Sequence, residues 1–193
     1  MKKSLSIIAI VLTGLFFSGC GYNKMVTMDE AVKSSWSQVE NVYQRRSDLI
    51  PNLVETVKGY ATHEQETFTR VVEARAQATA TKIDPANLTP EAIKQFQDAQ
   101  GGLSSALSRL MVVVEQYPDL KANQNFLDLQ HQLEGTENRI NVARTRYNKA
   151  VEVFNSSIRV FPNNLTNKFL LHLSLKEPFK AEPSAEKAPQ VKF

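Results

Sequence analysis

Between Val32 and Tyr60, the residues Val32, Trp36, Val39, Tyr43, Arg46, Ile50, Leu53, Val57 and Tyr60 follow one another in alternating steps of four and three. A repeat near 3.5 residues commits that stretch to a long helix packed along one stripe and leaves no strand period to compete with it. Thr27 or Asp29 offers a cap for its start. Pro51 falls inside the stripe and removes one amide donor, so a bend is expected there rather than a stop. Gly59 then weakens the helix, and Thr62-His63-Glu64-Gln65 offers a capping box for a new start. Residues 28–82 read as either one helix or two, a break near Gly59 being the favoured reading.

Residues 64–82 carry Phe68, Val71 and Val72 and then alternating alanines, a strong helix former with a narrow apolar face. Asp84-Pro85 ends it. Thr89-Pro90-Glu91 restarts a helix with a cap, a proline in the first turn and an early carboxylate. Its stripe is Ile93, Phe96, Gln100, Leu103, Leu107, Leu110, Val114 and Tyr117, with Gly101-Gly102 as a weak point and Pro118 as its close. A last helix starts between Asp119 and Asn123 and repeats the rhythm at Phe126, Leu129, Leu133, Thr136, Ile140, Ala143, Tyr147, Ala150 and Phe154. Long helices joined by short connections predict an all-α, antiparallel up-and-down bundle over residues 28–160, stabilised by burial of these stripes. After Pro162 the rhythm is lost. Leu171, Leu173 and Leu175 alternate with polar residues as a short extended piece lying on the bundle, and Pro178, Pro183 and Pro189 mark an exposed, flexible tail. Residues 161–193 are thus expected to form an extended C-terminal segment.

The other end has a different character. Lys2 and Lys3 precede an apolar run from Leu5 to Phe17, interrupted by Ser6, Thr13 and Gly14. A run of about thirteen residues is short for a membrane span and suits the core of an export signal. Phe17-Ser18-Gly19-Cys20 follows and resembles a bacterial lipobox, with Phe17 at a position where Leu is commoner. On this reading residues 1–19 are a lipoprotein signal peptide, Cys20 carries the lipid, and residues 20–27 are the lipidated tether. Each buried acyl CH₂ adds about 0.8 kcal/mol of membrane affinity, so two or three chains hold firmly. The alternative is an uncleaved N-terminal membrane helix ending near Cys20. Gly21, in place of Asp, resembles Gram-negative lipoproteins sent to the outer membrane, and implies a protein on the periplasmic face.

Composition excludes several functions. Setting residues 1–19 aside leaves 21 basic against 20 acidic residues, so no concentrated basic face points to nucleic acid. A single cysteine excludes an internal disulfide framework. His63-Glu64 is followed by Thr67 where a zinc H-E-x-x-H helix needs histidine, and Asp128-x-x-His131 is one copy of a di-iron motif with the wrong acid. No metal and no cofactor is therefore expected. The exported part has neither a Gly-x-Ser-x-Gly elbow nor a Gly-rich phosphate loop, so no enzyme chemistry is expected either. Trp36, Tyr43, Tyr60, Tyr117 and Tyr147 all fall on stripe positions and read as core.

Arg45, Arg46 and Asp48 are the most informative charges. Arg46 lies on the apolar stripe, where an unpaired guanidinium is very costly, so a carboxylate must meet it. Glu134 and Glu137 of the last helix are the candidates. The structural reading is an ion pair that fixes helix register; the functional alternative is a ligand-binding or enzymatic bundle with an anion site around Arg45, Arg46 and Asp48.

Several motifs occur in one order along the chain. They are Tyr22-Asn23, Trp36, Gln44-Arg45-Arg46-Ser47-Asp48-Leu49-Ile50-Pro51-Asn52-Leu53-Val54, Val57-Lys58-Gly59-Tyr60 and His63-Glu64. Tyr117-Pro118-Asp119-Leu120-Lys121-Ala122, Leu133-Glu134, Glu137-Asn138-Arg139-Ile140, Tyr147-Asn148 and the ending Pro189-Gln190-Val191-Lys192-Phe193 follow. Together they resemble the LemA family over nearly all of residues 22–193. The lipobox and the Leu-rich stretch 169–175 depart from the family pattern. The resemblance implies a membrane-tethered, antiparallel four-helix bundle facing away from the cytoplasm, with no established enzyme activity. The expected partners are the membrane, through lipid on Cys20, and an envelope protein docked on the bundle. Lys82 to Ala92 and the tail from Glu177 are the expected contact sites, and Phe169 to Leu175 is a further candidate for contact with lipid.

Overall fold

The computed structural model describes the main chain of residues 2–180 and the side chains of residues 21–180. The lipid attachment expected at Cys20, the tail prolines Pro183 and Pro189 and the ending at Phe193 lie outside the described side chains. The elements are α1 (Lys2–Lys58), α2 (Gln65–Ala80), α3 (Pro90–Val114), α4 (Pro118–Lys121), α5 (Gln124–Arg159) and α6 (Asn163–Thr166). A π-helical turn, Asn167–Leu171, follows α6 and ends at His172 in the left-handed region, φ 52°. Among the described residues all regular secondary structure is helical, with no strand, and no helix is long and apolar enough to cross a membrane.

The boundaries follow the local chemistry, with corrections at the start of the chain. Neither Thr27 nor Asp29 caps α1, which runs straight through them. Thr27 Oγ1 instead donates back to Asn23 O at 2.9 Å, while buried Asp29 pairs with Lys33 at 2.7 Å and Lys176 at 3.4 Å. Pro51 does not end α1. A proline at 51 frees the carbonyl of residue 47, and Arg75 of α2 fills that vacancy with Nε donating to Ser47 O at 2.8 Å. The break comes after Lys58, near Gly59 as expected, so two helices cover this region. The capping box at Thr62 does not form; Glu64 makes no side-chain cap, and Gln65 Nε2 donates to Thr62 O at 3.2 Å. Thr89 does cap α3, accepting from Ala92 N at 3.2 Å with Pro90 in the first turn. Asn123 caps α5 in the same way, accepting from Phe126 N at 3.1 Å. Pro118 opens the short turn α4 rather than simply closing α3.

Two stacked clusters make the core. Trp36, Val39 and Tyr43 of α1 meet Ile93 and Phe96 of α3 and Ile140, Tyr147 and Phe154 of α5. Ile50, Leu53 and Val57 of α1 meet Phe68 and Val71 of α2, Leu103 and Leu110 of α3, and Phe126 of α5. Thus α3 rises in the same sense as α1 across the core from it, while α5 runs back against α1. Each large apolar side chain taken fully out of water contributes about 1.5–3 kcal/mol, which is how short-range stripes hold helices this long. Most stripe residues land inside. Leu107, Tyr117, Leu129, Leu133 and Ala150 are half-buried, and Tyr60, past the end of α1, is exposed, its hydroxyl accepting from Asn123 Nδ2 at 2.9 Å.

After Pro162 the expected extended piece does lie on the bundle, but a π-turn precedes it and its docked part reaches further along the chain than expected. Residues 167–171 form the π-turn, and residues 173–180 run extended along α5 without joining a strand. Three asparagines hold this strap by exchanging both amide groups with a main-chain residue. Asn167 engages Leu173 (3.0 and 2.8 Å), Asn155 engages Lys176 (2.8 and 2.9 Å), and Asn148 engages Phe179 (3.1 and 2.8 Å). Tyr147 Oη adds a bond to Glu177 O at 3.0 Å, and burial raises that phenol's pKa. Phe179 is buried, stacked on Trp36 with centroids 5.7 Å apart. The start of the expected free tail, Glu177 to Lys180, is therefore docked, because Phe179 completes the aromatic core.

Candidate functional site

Arg46 sits on the inward stripe of α1, only 4% exposed. Its Nη2 donates to Gln100 Oε1 at 2.6 Å and Gln100 O at 3.3 Å, and its Nη1 donates to Ser104 Oγ at 3.1 Å and Glu137 Oε2 at 3.3 Å. Gln100 Nε2 in turn donates to Ala78 O at 3.2 Å, one of the last carbonyls of α2 and so without a partner in its own helix. One buried guanidinium thereby ties α5, α1, α3 and α2 at a single level. The guanidinium also lies 5.0 Å from the centroid of Tyr43, a cation–π contact that offsets part of its desolvation. Its Nε alone has no hydrogen-bond partner.

The predicted carboxylate partner is Glu137 and not Glu134. Glu134, one turn earlier on α5, accepts from Gln130 at 3.0 Å and faces His131 at 3.8 Å. Arg45 and Asp48 are exposed, Asp48 accepting from Gln44 Nε2 at 2.7 Å. The three charges Arg45, Arg46 and Asp48 are therefore not brought to one site: Arg46 turns inward and its neighbours face water. Pro51 and Asn52 are exposed, Asn52 O accepting from Thr56 Oγ1 at 2.8 Å. His63, His131 and His172 are exposed as well, and among the described residues no cluster of His, Cys, Asp and Glu is arranged to hold a metal.

Arg46 forms the floor of two adjoining clefts between α3 and α5. One, about 350 Å³, is lined by Tyr43, Lys94, Asp98, Arg144 and Lys180; the other, about 260 Å³, by Leu107, Met111, Leu133 and Glu134. A third cleft of about 230 Å³ lies on the other side of α1, between Glu40, Ser47, Thr79 and Lys82. Burial pushes the Glu40 carboxyl above its ordinary range, opposed by the Ile83 amide, the Trp36 indole and Lys82. A carboxyl raised in the folded state costs stability once pH exceeds its unfolded pKa, and costs nothing in acid where both states are protonated. Glu40→Gln is thus expected to raise the melting temperature at neutral pH, with the gain vanishing in acid. A thermal melt of both proteins across that range checks it; equal melting at neutral pH contradicts it.

Sequence reasoning anticipated the Arg46 ion pair but missed Gln100, although Gln100 is itself a polar break in an apolar stripe. It anticipated an extended piece on the bundle but missed the asparagines that hold it. The available signal was the seven-residue spacing of Asn148 and Asn155, two turns apart on one helix face.

Fold and node together define an all-α protein of long helices held in register by a shared polar centre. Residues 35–193 match the LemA family model, and the chain belongs to the LemA family. It is similar to the magnetosome proteins MamQ 1 and MamQ 2 of Paramagnetospirillum magneticum, each 30% identical over 94% of this chain and 71% of the relative. It is also similar to Protein LemA of Metamycoplasma hominis, 26% identical over 85% of this chain and 73% of the relative.

Proposed function

We propose that this chain is a membrane-anchored envelope lipoprotein whose four long helices close one bundle that serves as a non-enzymatic docking scaffold. The observation that carries the reading is that the node turns inward. Arg46 spends both terminal nitrogens on Gln100, Ser104 and Glu137, so the most conspicuous buried charge is committed to holding helices together. Long exposed faces on α2, α3 and α5 remain for a partner protein. The lipobox at residues 17–20 supports anchoring through Cys20 on the periplasmic side, and Gly21 supports the outer membrane. The relatives named as magnetosome proteins support a role in an assembled cellular structure.

Labelled palmitate is expected to enter the wild-type protein and not Cys20→Ala in growing cells. Incorporation into both ends the lipoprotein reading. Crosslinking the native protein in membranes before purification is expected to recover one stoichiometric envelope protein; recovery of the chain alone, at every crosslinker length tried, removes the scaffold reading.

A further inference from the structure

Two stretches of the sequence contain no acidic residue: 1–28, up to Asp29, and 153–176, between Glu152 and Glu177. The fold brings them to the same end. α6 packs on α1, and Asn163 Oδ1 lies 2.5 Å from where a Cβ on Gly21 would stand. Asn163 also donates to Ser157 O at 3.1 Å, fixing α6 to the end of α5. Gly21 is four residues beyond Phe17, where the apolar N-terminal run ends. On a helix rising 1.5 Å per residue that is roughly 6 Å, about the depth of a headgroup layer. Whatever holds the N-terminus to a bilayer, whether lipid on Cys20 or the apolar run itself, holds α6 at the level of the interface.

The surface presented there is unlike the rest of the molecule. Phe161 is 78% exposed, Phe169 68% and Leu170 63%, accompanied by Leu165 and Leu175. Every exposed Phe and Leu among the described residues falls between 161 and 175; the exposed large apolar residues elsewhere are Tyr and Val. Arg159 and Lys168 are exposed within the same stretch, and Lys24 on the neighbouring turn of α1. Scattered single apolar residues are ordinary on a surface, whereas aromatic and leucine side chains grouped with cations and no anion match an acidic lipid interface.

We infer that residues 159–175 form a second membrane contact, an apolar and basic foot that enters the headgroup region of an anionic phospholipid surface and sets the angle at which the bundle stands. The inference rests on the membrane anchoring proposed above and adds a residue-level site to it.

The test uses the full chain carrying Phe169→Trp, reconstituted into phosphatidylcholine vesicles containing phosphatidylglycerol and brominated acyl chains. Trp36, fully buried, is the internal reference. The expected result is strong bromine quenching of the tryptophan at 169 with Trp36 emission nearly unchanged, and weaker quenching without phosphatidylglycerol. Lys168→Glu in that background is expected to weaken the contact about fivefold or more on the anionic vesicles. Leu170→Trp provides a second reporter should position 169 perturb folding. Flotation separates the two readings. Vesicles that carry the protein while both reporters stay unquenched overturn the foot and leave anchoring intact; protein that fails to float overturns both. Detergent-solubilised dimers crosslinked through this end, with the reporters shielded in the absence of lipid, overturn the foot in favour of a second copy of the chain.

Discussion

Trp36→Ala is expected to lower the unfolding free energy by about 3–5 kcal/mol, the largest loss of any single substitution in the chain. The indole is fully buried and packs edge-on against Phe96 (5.1 Å) and Tyr147 (5.4 Å) while Phe179 stacks on its remaining face. Removing it opens a cavity touched by α1, α3, α5 and the strap at once, and no single neighbour can collapse into it. A domain whose whole stability is typically 5–15 kcal/mol loses a large fraction in one step. Urea unfolding followed by far-UV circular dichroism measures the effect; a loss below about 1 kcal/mol would show that the aromatic cluster is peripheral to the core.

Arg46→Ala follows, at about 3 kcal/mol, because it strips partners from Gln100 and Ser104 in the interior and leaves a void beside Tyr43. Arg46→Met keeps the aliphatic stem and is expected to cost less. Glu137→Gln is expected to cost under about 1 kcal/mol, since its side chain is 51% exposed and water takes over its solvation. That ordering separates a structural node from a ligand site. If Arg46→Met instead left stability intact while abolishing a binding activity, the guanidinium would be a recognition group and the scaffold reading would lose its main support.

The sequence exposed what is periodic and hid what is not. Val32, Trp36, Val39, Ile50, Leu53, Ile93, Phe96, Leu103, Leu110, Ile140 and Phe154 are buried where their spacing placed them, because a stripe repeating near 3.5 residues has one face and one destination. Tyr60 failed because the stripe was extended past Lys58, where the helix that carried it ends. Arg46 was legible as a charge on an apolar face, and the demand for a carboxylate was met. Which of Glu134 and Glu137 answers depends on the rotation of α5, which local sequence does not encode. The strap was legible only in part. The alternation of Leu171, Leu173 and Leu175 pointed to an extended piece on the bundle, but its docking relies on side chains of α5 reaching another segment's backbone, and the letters of the strap carry no trace of that. Phe169 to Leu175 was legible as a candidate for lipid contact, but its partners Phe161, Leu165 and Lys24 were not, because only the packing of α6 against Gly21 brings them to the same end.

Asn155 and Asn148 stand seven residues apart on α5 and grip positions 176 and 179 of the strap. Seven residues of helix and three of extended chain both advance roughly 10 Å, so the two ladders stay in step. A carboxamide that trades bonds with a peptide group does not ask which side chain that peptide bears, provided it is not proline. Apart from Phe179, which fills the core, and Lys176, which pairs with Asp29, lineages descending from this chain should therefore rewrite the letters between 173 and 180 more freely than they change their number, since one inserted residue would throw every later rung out of alignment.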